Sequence, residues 1–251
     1  MKFEPADGWP PLVMMNRMGR TSNELNEVNR LFVDFAPRAR APVLDIGSGY
    51  GIAALAAFDA GARVIANDVD LRHLEIIRAK APHPIETIAA RFPDDLDFPP
   101  ASLGAIHAAN ILHFLTGEEL LLAARKMHEW LRPGGKVFTI TGTPYVRTLE
   151  AFIPTYKQRK RSGQPWPGEI ANVREWSTHP TIDELPDFVH FLDDETVSIP
   201  FAAAGFIIEK VEMFERRNLP EYLAYEGREN VALVAAKPST PQSFGSSLGS
   251  T

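Results

Sequence analysis

The sequence contains no cysteine among its 251 residues. A disulfide framework is therefore excluded, and so is any reaction that needs a thiolate nucleophile. Apolar residues make up 45% and charged residues 23% of the chain, a balance typical of globular proteins. A chain of this length can bury a core that is stable without covalent or metal staples.

Positive charge is also scarce, because 26 lysine and arginine residues are outnumbered by 32 aspartate and glutamate residues, for a net charge of -6. A surface of this sign does not attract nucleic acid or anionic membranes as a whole. No apolar run is long enough to span a membrane, and proline and charged residues interrupt the N-terminal stretch where a signal peptide would lie. We therefore expect a cytoplasmic protein without membrane attachment.

Short apolar segments alternate with amphipathic segments along most of the chain. Strands are predicted at 42–46, 63–66, 85–89, 103–109, 136–141, 206–214 and 230–236. Helices are predicted at 52–60, 71–80, 117–131 and 194–204, the third of them with a capping box made by Thr116 and Glu119. Strands and helices in this order indicate a parallel sheet covered on both faces, that is, a doubly wound α/β fold.

Three regions depart from this alternation. Residues 1–40 hold a proline- and methionine-rich segment and then a helix, for which Thr21 and Glu24 form another predicted capping box. Residues 143–194 are rich in aromatic residues, prolines and charges of both signs, and we interpret them as a cap inserted after the fifth strand. Residues 238–251 are predicted to be a flexible tail. The remainder of 41–237 is predicted to form one α/β domain.

The most informative segment is Asp45-Ile46-Gly47-Ser48-Gly49-Tyr50-Gly51, at the end of the first predicted strand. Ligands of open parallel sheets bind beyond the carboxyl ends of the strands. Alternate glycines let the backbone approach a ligand closely, and the following helix offers free amides to a carboxylate. A dinucleotide fingerprint would need glycine in place of Ile52. Asp45 instead favours an amino-acid ligand, whose ammonium it would neutralise.

Asp68 ends the second predicted strand, about 20 residues after the glycines, where an acid can accept both ribose hydroxyls. This spacing suits any adenosyl ligand. A helix cap is the competing role, but Asp70 is better placed to provide it. We therefore interpret Asp68 as a ribose ligand.

The segments Val43–Gly51, Ala105–Leu115 and Leu131–Lys136, together with Asp68, resemble class I S-adenosylmethionine-dependent methyltransferases, particularly those that act on small molecules. The resemblance extends over residues 40–142 and, more weakly, over 194–237. It implies a mostly parallel seven-stranded sheet with an antiparallel final strand, and S-adenosylmethionine as the cofactor. The motifs are specific for the superfamily and say little about the methyl acceptor.

The resemblance also implies which residues bind the cofactor. These are Asp45, Gly47, Ser48, Gly49, Gly51, Asp68, Val69, Arg91, Phe92 and Asn110. The glycine segment and Asn110 would hold the methionine part, and Asp68 the ribose. The family often has an acid after the third strand that binds the adenine amino group. Here the aligned positions are Arg91 and Phe92. Phe92 would stack on the adenine and Arg91 would contact it through its backbone, while Asp94 or Asp95 would take the part of the acid.

Two residues are candidates for contact with the methyl acceptor. His113 follows the fourth strand and is interpreted either as a base or substrate contact or as a capping residue before the next helix. Tyr145 follows the fifth strand and would either orient the substrate or pack in the cap. His107 lies within a strand and is interpreted as a packed residue. No His, Asp or Glu cluster has the spacing of metal ligands, so no metal is expected.

These features predict a methyltransferase acting on an oxygen or nitrogen of a small molecule. Residues 143–194 and the N-terminal segment would form the acceptor pocket. In that segment Trp9, Met14, Met15 and Met18 would either close over the cofactor as a lid or pack on the sheet. One alternative is a protein or RNA methyltransferase that docks through the basic run Lys157–Arg161, which is otherwise a solvated helix face. A non-catalytic cofactor-binding protein and a dinucleotide oxidoreductase remain further alternatives. The sequence indicates no oligomeric state.

Overall fold

A computed structural model of the chain describes residues 12–16, 18–21, 24–215 and 221–239. Trp9 of the predicted lid lies outside these residues, as does the predicted tail beyond Ser239.

The centre of the fold is a seven-stranded sheet. Its strands are β1 (Val43–Ile46), β2 (Val64–Asp68), β3 (Glu86–Ala89), β4 (Leu103–Ala109), β5 (Leu131–Gly142), β6 (Ile207–Phe214) and β7 (Asn230–Ala236). They are arranged in the order β6-β7-β5-β4-β1-β2-β3. β7 runs antiparallel to β5 and β6, whereas the other neighbouring pairs are parallel. The predicted fold and its antiparallel final strand are confirmed.

Helices cover both faces of this sheet. They are α1 (Glu27–Phe35), α2 (Ile52–Asp59), α3 (Leu71–Lys80), α4 (Gly117–Trp130) and α6 (Asp194–Ala203). A further helix, α5 (Ile153–Arg161), packs in the stretch between β5 and α6 instead. One cluster of buried side chains joins the sheet to α1, α2 and α3, and a second joins it to α4 and α6. No helix in the described part of the chain is long and apolar enough to cross a membrane.

One of the two predicted capping boxes is confirmed. Thr116 Oγ1 accepts a hydrogen bond from Glu119 N at 3.2 Å, and Glu119 Oε2 accepts one from Thr116 N at 2.8 Å. The box predicted at Thr21 and Glu24 is wrong, because α1 begins at Glu27 with Asn26 as its cap. Thr21 instead belongs to a two-residue strand that pairs with Leu12–Val13.

Residues 143–193, between β5 and α6, form α5 and several short elements. These are the 3-10 helices Arg147–Phe152, Val173–Glu175 and Pro180–Glu184 and the paired strands Glu169–Ile170 and Val189–His190. With Asp194 they are called the 143–194 segment below. The segment has its own buried cluster, centred on Phe152 and Tyr156. It contacts the start of α4, where Glu169 Oε1 accepts a hydrogen bond from Gly117 N at 2.8 Å.

Candidate functional site

A cavity of about 340 Å³, the main cavity, lies at the carboxyl ends of the first four strands. Its volume is in the range of small-molecule sites. Most of the residues predicted to bind the cofactor form part of its wall: Gly47, Ser48, Gly49, Asp68, Val69, Arg91, Phe92 and Asn110. Asp45 and Gly51 lie outside this wall.

The glycine turn after β1 depends on its glycines for both conformation and space. Gly47, Gly49 and Gly51 have φ angles of 63°, 52° and 81°, in the left-handed region that disfavours other residues. A Cβ atom on Gly47 would lie 2.1 Å from Ile111 Cδ1. The turn therefore brings bare backbone to the main cavity just before α2, whose first amides are free to meet an anionic group.

Asp68 connects the end of β2 to this turn. Its Oδ2 accepts a hydrogen bond from Gly49 N at 2.9 Å, and its Oδ1 accepts one from Asp70 N at 2.8 Å. The side chain is 3% exposed. Asp70 caps α3 by accepting a hydrogen bond from Arg72 N, which supports the interpretation that Asp68 has a different task. Asp68 thus holds the glycine turn in place and borders the main cavity.

Asp45 lies behind the turn. Its Oδ1 is 2.6 Å from His107 Nδ1, and both side chains are buried. The imidazole stacks on Phe32, with the ring centroids 4.8 Å apart, as a packed residue would. Asp45 and His107 border a smaller inner cavity of about 40 Å³, which Asn110 also borders. The carboxylate predicted to neutralise an ammonium therefore borders this inner cavity and not the main one.

The wall after β3 contains both of the residues aligned with the adenine site. The Arg91 side chain is 61% exposed, and its Nη2 is 2.9 Å from Glu119 Oε1. Phe92 is buried and packs edge-on against Trp130, with centroids 6.3 Å apart. Asp94 and Asp95 are exposed and lie outside the wall of the main cavity.

The N-terminal segment lies over the glycine turn. Met14 and Met18 form part of the wall of the main cavity, whereas Met15 is exposed. Tyr50 Oη donates a hydrogen bond to Val13 O at 2.8 Å. A Cβ atom on Gly49 would lie 2.9 Å from Met14 Cε. The methionines predicted as a lid thus include two that contact the site directly.

The same N-terminal segment also contacts the 143–194 segment. Arg20 forms an ion pair with Glu184, and Gly19 N donates a hydrogen bond to Glu184 O at 2.9 Å. Residues 18–21 therefore lie between the glycine turn and the 143–194 segment.

Another cavity, of about 150 Å³, adjoins the main cavity and is called the side cavity. The two cavities share Met18, Arg20 and Asn110 as wall residues. The rest of the wall of the side cavity is His113, Val146, Leu185, Phe191, Leu223, Glu229, Asn230 and the glycines 19 and 142. Asn110, which has a φ angle of 56°, borders the main, inner and side cavities.

His113 borders the side cavity and not the main one. Its Nδ1 is 2.9 Å from Thr141 Oγ1. Burial and the nearby His190 lower the pKa of His113 to about 4, so the imidazole is neutral at pH 7. A neutral imidazole can accept a hydrogen bond, but with this pKa it is a weak base.

Tyr145 lies in the buried cluster of the 143–194 segment. The guanidinium of Arg228 is 4.0 Å from the centroid of its ring, and burial raises the pKa of the phenol. The residue is absent from the walls of the three cavities described above, an arrangement that favours packing over substrate contact.

Sequence reasoning missed Arg20, Glu229 and Asn230 as wall residues. A signal for the last two existed in the predicted topology. Since β7 is antiparallel, its first residue lies at the edge where the parallel strands end, and Asn230 pairs with Gly142 at the end of β5. Polar residues at the start of an antiparallel final strand are therefore candidates for this site. Among the described residues, no group of three or more His, Asp or Glu could hold a metal ion.

The sequence was compared with protein families and with curated proteins. Residues 43–135 match a family described as a methyltransferase domain. This stretch contains the glycine turn, Asp68 and Asn110. No curated protein matches the chain.

Solved structures resemble the chain over most of its length. An S-adenosylmethionine-dependent methyltransferase from Mesorhizobium loti is 20% identical, with a TM-score of 0.58, over 82% of this chain and all of that one. A 1,6-didemethyltoxoflavin-N1-methyltransferase from Burkholderia thailandensis is 15% identical, with a TM-score of 0.56, over 85% and 79% of the two chains. A structure of a complex between the Haloferax volcanii Trm112 methyltransferase activator and a methyltransferase is also similar. It is 13% identical, with a TM-score of 0.55, over 84% of this chain and 98% of that one. At these identities the likeness concerns the fold.

The matched domain, the sheet order and the glycine turn followed by Asp68 agree with one another. Residues 43–135 match a methyltransferase domain, and the fold is that of S-adenosylmethionine-dependent methyltransferases of solved structure.

The lowered pKa of His113 predicts a pH-dependent contribution to stability. Between pH 6.5 and about 4 the unfolded state binds a proton at this residue and the folded state does not, so the free energy of unfolding falls as the pH falls. We expect His113 to lower the free energy of unfolding by about 2 kcal/mol near pH 4.5. His113→Gln should therefore lose less stability than the wild type between pH 7 and pH 4.5, as measured by urea unfolding. Equal losses in the two proteins would contradict the burial of a neutral imidazole.

Proposed function

We propose that the protein transfers the methyl group of S-adenosylmethionine to an oxygen or nitrogen of a small molecule held in the side cavity. The observation that carries this proposal is the wall that the side cavity and the main cavity share at Met18, Arg20 and Asn110. An acceptor in the side cavity would lie next to a methyl donor in the main cavity.

In this proposal, the residues of the main cavity bind and orient the cofactor. The backbone of Gly47, Ser48 and Gly49 holds the methionine part, and the Asp68 carboxylate accepts hydrogen bonds from the ribose. Val69, Arg91 and Phe92 flank the adenine. The bound cofactor supplies a methyl carbon that is already electrophilic, so alignment of the acceptor is the main task of the protein. Asn110 lies where the two partners would meet.

His113 is proposed to position the acceptor. With a pKa of about 4, its imidazole is neutral across the physiological range and can accept a hydrogen bond from a hydroxyl or an N–H. A strong general base is not part of the proposal. Such a base is unnecessary for an amine that attacks in its neutral form.

The N-terminal and 143–194 segments are proposed to enclose the acceptor. The Arg20–Glu184 ion pair joins the two segments at the border of both cavities. A volume of about 150 Å³ suits a compact molecule better than a polymer. The Burkholderia thailandensis neighbour, which has 1,6-didemethyltoxoflavin and S-adenosylhomocysteine bound, gives an example of a small heterocyclic acceptor on this fold.

The direct test has two steps. Calorimetry should detect binding of S-adenosylmethionine and S-adenosylhomocysteine. Formation of S-adenosylhomocysteine should then be measured with a panel of small phenols, amines and nitrogen heterocycles. The proposal predicts turnover with at least one compound of the panel. Turnover with RNA or protein fractions and with none of the small molecules would overturn the choice of acceptor.

The basic run on α5 provides a further prediction. Arg159 Nη1 donates a hydrogen bond to Glu169 O at 2.7 Å, and Lys160 pairs with Asp193, the cap of α6. Lys157 and Arg161 are exposed. We expect Lys157→Ala combined with Arg161→Ala to change turnover by less than about twofold, because two exposed charges contribute little to a small-molecule site.

Docking of RNA or an acidic protein through α5 predicts the opposite result. Each lost contact to a phosphate would weaken binding and lower its salt dependence, so turnover would fall about tenfold or more at low salt. Steady-state kinetics at two salt concentrations distinguishes the two outcomes. Lys160→Ala is unsuitable for this test, because it also removes a partner of the α6 cap.

A further inference from the structure

The wall of the side cavity contains two buried polar atoms that have no hydrogen-bond partner among the described residues. They are Glu229 Oε2 and Asn230 Nδ2. The two residues are 1% and 6% exposed. A buried carboxylate oxygen or amide N–H without a partner is costly, and such atoms are rare outside sites that bind a ligand or a water molecule.

Glu229 is held rigidly by the turn that precedes β7. Its Oε1 accepts three hydrogen bonds, from the backbone N–H groups of Tyr225, Glu226 and Gly227, at 2.7, 3.0 and 2.9 Å. This arrangement fixes the plane of the carboxylate. Oε2 is left as an acceptor that no group in the described part of the chain uses.

Two arginines of this region are already paired. Arg20, in the same wall, pairs with Glu184, and Arg228 pairs with Glu226 while its guanidinium lies over the ring of Tyr145. A hydrogen-bond donor on a molecule in the side cavity would satisfy Glu229 Oε2. Asn230 Nδ2, on the neighbouring residue, needs a hydrogen-bond acceptor in return.

We propose that the side cavity recognises a methyl acceptor that carries an N–H donor beside a carbonyl or ring-nitrogen acceptor, as cyclic amides and amino-heterocycles do. Glu229 Oε2 accepts the hydrogen bond from the N–H, and Asn230 Nδ2 donates one to the adjacent atom. This inference rests on the proposed function in that it takes the side cavity to be the acceptor site. It adds the chemical class of the acceptor and the two residues that select it.

The test uses pairs of compounds that differ only in the N–H group. These are 2-quinolone with coumarin and 2-pyridone with 2-pyranone, in which a ring oxygen replaces the N–H. Dissociation constants are measured by NMR titration of the protein saturated with S-adenosylhomocysteine. Since a site built around a hydrogen-bond donor rejects the analogue that lacks it, we expect the N–H compound of at least one pair to bind about tenfold or more tightly than its oxygen analogue.

Glu229→Gln is the informative variant. The glutamine carbonyl can keep the three backbone hydrogen bonds, while its NH₂ group replaces Oε2 and turns an acceptor into a donor. The preference for the N–H compound should disappear or reverse. Glu221→Gln, the same change at an exposed position eight residues earlier, should leave the preference intact. Asn230→Asp, which replaces the other donor by an acceptor, should weaken binding of both members of a pair.

Thermal unfolding and the affinity for S-adenosylhomocysteine show whether each variant is folded. If Glu229→Gln fails these controls, the wild-type pairs and Asn230→Asp decide the matter. Equal binding of the paired compounds, no binding of either pair, or an unchanged preference in a folded Glu229→Gln variant would overturn the inference. The proposed function is judged separately, by formation of S-adenosylhomocysteine in the presence of any small-molecule acceptor. A preference for N–H compounds without turnover would refute that function and not the recognition chemistry.

Discussion

Replacement of Asp68 by alanine should weaken the binding of S-adenosylhomocysteine by about 1–3 kcal/mol, that is, about fivefold to 150-fold. The carboxylate is proposed to bind the ribose, and it also accepts hydrogen bonds from Gly49 N and Asp70 N. The variant would lose a ligand contact and an anchor of the glycine turn together. We therefore expect the upper part of this range, as measured by calorimetry.

Asp70→Ala is the matched control, because it makes the same change two residues along the chain. It removes the cap of α3, which should cost about 1 kcal/mol in the free energy of unfolding. Asp70 lies outside the wall of the main cavity, so the affinity for S-adenosylhomocysteine should change little. Equal affinities of the wild type and Asp68→Ala would refute the ribose assignment. A comparable loss in both variants would mean that the effect comes from disturbance of the loop.

The parts of the fold that were predicted correctly carry short-range signals. The strand predicted at 103–109 has the same bounds as β4, because its residues other than His107 carry no polar side chain and turn residues flank it. The alternate glycines indicated a turn that only glycine adopts easily, and their φ angles agree. Asp68 could be placed because the end of a parallel strand fixes the edge of the sheet on which it lies.

The parts that failed depend on contacts between distant residues. Thr21 and Glu24 fit a capping box locally, but Thr21 pairs with Leu12 in a small antiparallel strand pair and the helix begins after Asn26. The partner of Asp45 is His107, on another strand, and no local pattern connects the two. β5 begins at Leu131 and not at 136 as predicted, because its register with β4 shifts between Leu131 and Lys136 and the strand takes in residues 132–135.

The side cavity could not be predicted from local sequence patterns, because it too depends on contacts between distant residues. Its wall combines residues from the N-terminal segment, from the end of β4, from the 143–194 segment and from the start of β7. Each of these residues is unremarkable in its own stretch of sequence. The topology of the sheet, and not any motif, brings His113 and Glu229 to the same cavity.

Gly117→Ala should disturb the contact between α4 and the 143–194 segment. Alanine in place of glycine within a helix normally stabilises a protein by up to about 1 kcal/mol. At the first residue of α4, however, a Cβ atom would lie 2.0 Å from Trp166 Nε1. The indole would have to move, and overpacking of this kind costs about 1–3 kcal/mol. Urea unfolding should therefore show a loss of stability where helix propensity alone predicts a gain.

A double-mutant cycle with Trp166→Ala tests this cause. Without the indole, the added methyl group has space, so Gly117→Ala should become neutral or stabilising in the Trp166→Ala background. The 143–194 segment carries Val146, Leu185 and Phe191 of the side cavity, whereas the residues predicted to bind the cofactor lie outside it. Gly117→Ala should accordingly weaken acceptor binding more than binding of S-adenosylhomocysteine. If Gly117→Ala lowers the free energy of unfolding equally in the wild-type and Trp166→Ala backgrounds, a clash with Trp166 does not explain the loss.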